Sequence, residues 1–166
     1  MEENKWKKNG DAGMTDLPLG RRVRKDDARI RAFAAIDEAS CSLGLARAFL
    51  NETDDGKKNA ATARQLYCIQ DYLRYAAAHA GGIASDAKLK EGILFLESAI
   101  DELDSHLKPA GGFVTPGSNR AEALLHCARA RCRTAETVAV SLDNRLLTRF
   151  LNRLSKYLFS AARYHE

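Results

Sequence analysis

The stretch AEALLHCARARCRTAETVAVSL, residues 121–142, decides the fold. Leu125, Ala128, Cys132, Ala135, Ala139 and Leu142 recur at alternating intervals of three and four, the spacing of one face of an α-helix. Small and aliphatic, they form a seam suited to packing on other helices. Arg129, Arg133 and Glu136 each follow a seam residue by one position. At about 100° per residue they form a second stripe beside the seam. On periodicity alone that stripe is a helix surface in which Arg133 and Glu136 pair at i, i+3, for about 0.2–0.5 kcal/mol. Arg131 reads as solvated.

Outward from this helix, the chain reads as further helices and their connectors. A first helix begins at Asp26 or Asp27, whose carboxylates suit a helix N-terminus, and runs to the polar loop NETDDGKK. A second covers residues 59–80 and closes at Gly81 and Gly82. A third starts at the capping candidate Ser85, with a seam of Leu89, Ile93, Leu96, Ile100, Leu103 and Leu107. The loop KPAGGFVTPGSN leaves helix chemistry at Pro109 and Pro116. The fourth helix covers residues 120–142, and after a break at Asp143 and Asn144 a fifth runs to Tyr164. No strand alternation is visible. The fold class is therefore all-α, a five-helix antiparallel bundle over residues 26–166, preceded by an irregular arm over residues 1–25.

Composition agrees. With 45% hydrophobic and 29% charged residues, the chain of 166 residues falls outside the disordered and membrane classes. No apolar run approaches the roughly 18 residues a membrane span requires. The opening MEENKWKKNG lacks an apolar core, so no secretory leader is expected. The cysteines Cys41, Cys68, Cys127 and Cys132 contain no CxxC pair, and their placement in helical segments predicts reduced core thiols and a cytoplasmic location. The histidines stand far apart, which argues against a zinc site. A net charge of +4 favours anionic partners. Tyr67, Tyr72, Tyr75 and Tyr157 lie at helical spacings and read as packing or surface residues. Without a basic stripe interleaved with exposed aromatics, nucleic acid is not the expected partner.

Asp37 points beyond a plain bundle. Ile30, Phe33, Asp37, Ser40 and Gly44 share one helical spacing, which predicts that Asp37 faces inward. A buried carboxylate is costly unless paired, and arginine offers it a bidentate contact. Pairing with Arg129 or Arg133 would leave the other arginine beside a cavity, free to meet phosphate.

Six segments, in order, resemble the PduO-type ATP:cob(I)alamin adenosyltransferases. KNGDAGMT is similar to the family's TGDxGxT, GRRVRKDD to GxRVxKD, and IDEASCSLG to VDELNSxLG. FVTPGSN is similar to FxLPGGS, LHCARARCRTAE to LHxARTxCRRAE, and FLNRLSKYLF to YLNRLSDxLF. The resemblance implies a five-helix bundle that assembles as a homotrimer with the nucleotide site between subunits. It also implies the activity: the 5′-deoxyadenosyl group of ATP passes to the cobalt of cob(I)alamin, with release of triphosphate.

The site residues follow from the same resemblance. Gly10, Asp11, Gly13 and Thr15 would wrap the triphosphate, with Lys25 and Arg133 on its oxygens, Glu136 holding Mg2+ and Asn152 on the nucleotide. Asp37 and Arg129 would form a structural salt bridge. Phe113 would lie under the corrin ring, displacing the lower axial ligand of cobalt; taken without the family, it is a loop aromatic that anchors packing. A Co(II) reductase and an adenosylcobalamin-dependent enzyme are the implied partners.

Departures from the family pattern keep an alternative open, a non-catalytic member that binds corrinoid or nucleotide or serves as a scaffold. Lys156 stands where the family has an acid, one helical turn from Asn152. Thr134 replaces a second arginine, and Lys7 and Asn9 replace threonines of the arm. His126, beside Arg129, is expected to make a structural hydrogen bond, and Trp6 to anchor the arm.

Overall fold

Three helix starts are capped by side chains of the sequence, whereas Ser85 precedes the third helix without a side-chain cap bond. In the computed structural model, which describes residues 10–53, 56–109 and 111–166, α1 spans Ala28–Glu52, α2 Gly56–Ala80, α3 Asp86–Ser105, α4 Arg120–Val140 and α5 Arg145–Tyr164. Asp27 caps α1, accepting from the Arg29 N–H at 2.9 Å. Asn119 and Asn144 cap α4 and α5 in the same way, each accepting at 3.0 Å from the N–H three residues on. At the end of α2, Gly82 adopts φ +76°, the Ile83 N–H reaches Ala78 O at 3.1 Å, and the Gly82 N–H reaches His79 O at 3.0 Å. This double closure satisfies the last carbonyls and requires a residue that tolerates the left-handed region.

The helices pack so that α1 lies between α2 and α4, α5 lies between α4 and α3, and α2 meets α3 to close the ring. Leu43, Leu66, Ile69, Leu73, Leu89, Leu96, Leu125, Phe150 and Tyr157 are fully buried at its centre. The α4 seam is buried from Leu125 to Ala139, as its spacing predicts, and so is the α3 seam from Leu89 to Leu103. Gly92 belongs to that packing for a steric reason: a Cβ there would come within 3.0 Å of the rings of Phe150 and Tyr72. Among the described residues, no helix is long and apolar enough to cross a membrane.

The arm differs from its expected irregular form. Met14–Asp16 (β1) pairs antiparallel with Arg22–Arg24 (β2) around a 3-10 turn at Pro18–Gly20, and Leu17 and Val23 are buried. Three-residue strands are too short to show alternation in sequence, which is why they escape a pattern search.

Asp37 requires the main correction, because it is exposed and makes no ion pair among the described residues. The true α1 seam is Ala32, Ala35, Ile36, Ala39, Leu43, Ala46 and Leu50. The stripe of Phe33, Ser40 and Gly44 lies beside it and borders α2: the Phe33 ring lies over Gly81, and the Gln70 amide donates to Ser40 O at 3.0 Å. On that border a charged side chain turns outward to water. Arg129 faces away from α1, its Nε donating to His126 Nδ1 at 3.2 Å and its guanidinium 6.0 Å from the Phe159 ring of α5. Arg131 of α4 does reach α1, 2.7 Å from Glu38, rather than being a merely solvated side chain. Within one chain Asp37 and Arg129 therefore stay apart.

The cysteines also differ from expectation. All are free, but Cys41, Cys68 and Cys127 are exposed and only Cys132 is buried, its thiol donating to Leu151 O at 3.3 Å. Cys132 occupies a seam position; the other three do not.

Candidate active site

The short turn between α4 and α5 sets the second half of α4 beside the first half of α5. Between them lies a groove of about 390 Å3 lined by Glu136, Val140, Thr148, Arg149, Asn152 and Arg153, among others. Two predicted site residues meet there: the Asn152 amide donates to Glu136 Oε1 at 2.9 Å. Arg153 donates to Asn152 Oδ1 at 3.0 Å and, through Nε, to Glu97 Oε1 at 2.9 Å. Arg149 reaches the same Glu97 oxygen at 3.1 Å. These two arginines, Arg153 first, hold the Glu97 carboxyl below the usual range. The chain of contacts fixes the Asn152 amide, nitrogen toward Glu136 and oxygen toward Arg153.

Arg133 projects from the same helix as Glu136, exposed, and its side chain has no hydrogen-bond or ion-pair partner among the described residues. The surface pair expected between Arg133 and Glu136 is absent, and Glu136 instead accepts from Asn152. An uncommitted guanidinium beside an oriented carboxylate and amide suits an oxyanion ligand that brings its own charge. Glu136 Oε1 takes the Asn152 N–H while Oε2 remains open. One open carboxylate oxygen fits Mg2+, which binds through one or two carboxylates together with substrate phosphates and water.

The arm gathers a second set. The Gly13 N–H turns back to Gly10 O at 3.2 Å, and the Lys25 N–H closes on Gly13 O at 2.8 Å. The Lys25 ammonium lies across Gly10, so close that a Cβ there would sit 3.0 Å from Nζ. Asp11 is exposed on this turn, and Thr15 sits in β1 opposite Val23. No hydrogen bond or ion pair joins Gly10, Asp11, Gly13, Thr15 or Lys25 to Arg133, Glu136 or Asn152 among the described residues. One chain thus displays two separate groups of the predicted residues.

Phe113 forms a third. It is 102% exposed in the loop between α3 and α4, so it anchors no packing within the chain. Large aromatics bury strongly, and one left wholly in solvent has its apolar surface free for a ligand or a partner.

The described departures from the family pattern, Lys156 and Thr134, fall outside the groove. Lys156, although one turn from Asn152, turns to α3, with its ammonium 2.8 Å from Asp104 and 3.2 Å from Ser160 Oγ. Burial pushes the Asp104 carboxyl up, but Lys156 and Ser160 outweigh it and the net shift is down. Thr134 is exposed and spends its hydroxyl on Ala130 O at 3.3 Å. Trp6, Lys7 and Asn9 lie outside the described residues.

Sequence reasoning missed Arg149, Arg153 and Glu97. The i, i+4 spacing of Arg149 and Arg153 on α5 was the available signal, but Glu97 lies on α3 and only the fold joins it to them. Also missed was Glu122, 0% exposed at the start of α4. Asn119 followed by Glu122 matches the capping-box pattern, which would have flagged it.

Comparison with known proteins gives consistent matches. The family model described as cobalamin adenosyltransferase matches residues 6–165. The corrinoid adenosyltransferase MMAB of Mus musculus is 35% identical over 170 residues, covering 96% of this chain and 71% of that protein. A corrinoid adenosyltransferase of Citrobacter freundii is 34% identical over 175 residues, covering 97% of this chain and 94% of that one. Among solved structures, a phenylalanine-to-alanine variant of the PduO-type ATP:corrinoid adenosyltransferase from Lactobacillus reuteri, complexed with cobalamin and ATP, gives a TM-score of 0.83. It is 27% identical, and the match covers 96% of this chain and 92% of that one.

Proposed function

Because the chain belongs to the cobalamin adenosyltransferase family, we propose that it transfers the 5′-deoxyadenosyl group of ATP to the cobalt of cob(I)alamin. The observation that carries this reading is the groove in which Asn152 and Glu136 are oriented for a ligand, with Arg133 uncommitted one turn before Glu136 on α4. In the reaction, the electron pair of Co(I) forms the Co–C bond at C5′. The C5′–O bond breaks, and its pair leaves with triphosphate. The substrate supplies the nucleophile, so the protein needs no serine, cysteine or histidine for attack.

What the chain's residues contribute is alignment and charge. Arg133 and Lys25 stabilise the departing triphosphate, Asn152 fixes the nucleotide, and Gly10, Asp11, Gly13 and Thr15 bring backbone N–H groups near the phosphate oxygens. Mg2+, held by Glu136 with the phosphates, would neutralise leaving-group charge. Phe113 presents an apolar face to the corrin and keeps water from the lower side of cobalt.

We also propose that the site is completed in a homotrimer. Small and apolar exposed residues, Ala34, Cys41, Leu45 and Ala48 on α1 with Cys127 and Ala130 on α4, support a self-association face. Exposed Asp37 lies on that same strip, so its partner would be Arg129 of an adjacent subunit. The arm group and the groove group, separate in one chain, would meet across the same boundary. The free thiols support a reducing, cytoplasmic setting, with a Co(II) reductase upstream and an adenosylcobalamin-dependent enzyme downstream.

The test is an anaerobic assay with cob(I)alamin, ATP and Mg2+. Loss of Co(I) absorption with equimolar triphosphate is the expected result. No turnover despite measurable ATP binding would leave a nucleotide-binding protein in place of the enzyme.

A further inference from the structure

Glu122 is buried at the first turn of α4, and nothing in the proposed reaction uses it. Its Oε2 accepts from two successive backbone amides, Gly117 N–H at 2.8 Å and Ser118 N–H at 3.1 Å. Its Oε1 lies 3.2 Å from His126 Nε2, close but not aligned as a hydrogen bond. His126, 3% exposed, accepts in turn from Arg129 Nε at 3.2 Å. A carboxylate stripped of water needs such compensation from N–H donors and a polar neighbour.

The helix start alone does not require it. Asn119 already caps α4 through its Oδ1, and its amide nitrogen reaches His165 O at 2.6 Å. The Glu122 carboxylate instead reaches back past the cap to hold the two residues before it. Gly117 adopts φ +123°, a conformation open chiefly to glycine, and this turns its amide and that of Ser118 toward one oxygen. Phe113 lies four residues upstream, fully exposed and without a ring contact of its own among the described residues.

Resting on the function proposed above, we infer that Glu122 is a positioning residue for corrin binding. It pins the end of the loop that carries Phe113, so that the aromatic is presented at a fixed place. The His126 and Arg129 side chains extend the pin along α4, joining the loop to the proposed subunit boundary.

The test compares Glu122→Ala with Glu122→Gln, the second of which keeps an acceptor oxygen for both amides. In the alanine variant, hydrogen exchange at Gly117 and Ser118 should accelerate about 10-fold or more, as the loss of two buried hydrogen bonds implies. The KM for cobalamin should rise about 10-fold while that for ATP stays within about 2-fold, and the glutamine variant should recover most of both changes. A merely structural role would raise both KM values together. Unchanged exchange, or faster exchange with a parental cobalamin KM and kcat, would overturn the inference. If the parent protein transfers no adenosyl group, the proposed function is lost, and exchange with cob(II)alamin affinity then decides whether Glu122 fixes the loop for a corrin. Parental affinity in the alanine variant would overturn it.

Discussion

Glu136 and Asn152 sit on two helices packed along their length, whereas Lys25 sits on an arm closed by backbone bonds and Phe113 on a loop held at its end by the Glu122 carboxylate. In the first region, side chains from α3, α4 and α5 form one connected chain of hydrogen bonds, and the amide of Asn152 has a single orientation. In the second, the Lys25 ammonium rests over a glycine and Phe113 touches nothing it needs. The helical region is organised before any ligand arrives. The Phe113 loop is anchored at its end by Glu122, but the Phe113 ring and the Lys25 ammonium have no side-chain hydrogen bond or ring contact among the described residues. That division separates side chains already oriented by their neighbours from side chains left exposed.

The largest effect should come from Arg133→Ala, which removes charge stabilisation from the organised region without touching a structural contact. A loss of about 100- to 1000-fold in kcat/KM for ATP is expected, with an unchanged melting temperature. Unfolding of this variant would show that the side chain is structural and that the two regions do not differ in this way. Phe113→Ala probes the other region. It should lower cobalamin turnover by about 10- to 100-fold while ATP binding and stability stay parental, as measured by calorimetry with each substrate.

Arg129→Ala sharpens the comparison at the boundary. In the separated chain it loses one hydrogen bond to His126, a cost of about 0.5–1.5 kcal/mol in urea unfolding. A buried Asp37 left without its partner would instead cost about 3–5 kcal/mol. The small loss, accompanied by weaker association in sedimentation, is the expected pair of results; an unchanged assembly would remove the proposed contact with Asp37.

The smallest effect is a pH dependence from His126. Burial holds its imidazole below the usual value of 6.5; Glu122 opposes that shift and Arg129 reinforces it. The unfolded chain therefore takes up a proton that the folded chain resists. The stability it contributes is fully present above about pH 6.5 and is lost as pH falls below that value toward the lower folded one. The urea midpoint should decline below pH 6.5 in the parent and decline less in His126→Gln.

Most helix boundaries were legible because caps and seams are local. Asp27, Asn119 and Asn144 act within three residues of themselves, and the seams of α3 and α4 follow a period that needs no knowledge of neighbours. Asp37 was misread for the opposite reason. Its spacing matched Phe33 and Ser40, and those residues border α2 without entering the core, a distinction set by where α2 lies. Lys156 failed similarly: proximity to Asn152 along α5 suggested interference, but Asp104 on α3 draws it away. For the candidate site, motif resemblance marked residues one by one. The bonds that organise them, through Glu97, Arg153 and Glu122, span segments far apart in sequence and have no local signature.

The exposed thiols carry a consequence of their own. Cys41 and Cys127 lie on the strip proposed to be covered by another subunit, while Cys68 opens on the far side of α2 among Arg47, Tyr67 and Tyr72. The unaltered chain thus contains its own footprinting reagent targets: an alkylating probe would mark Cys68 in any state and spare the other two as subunits come together.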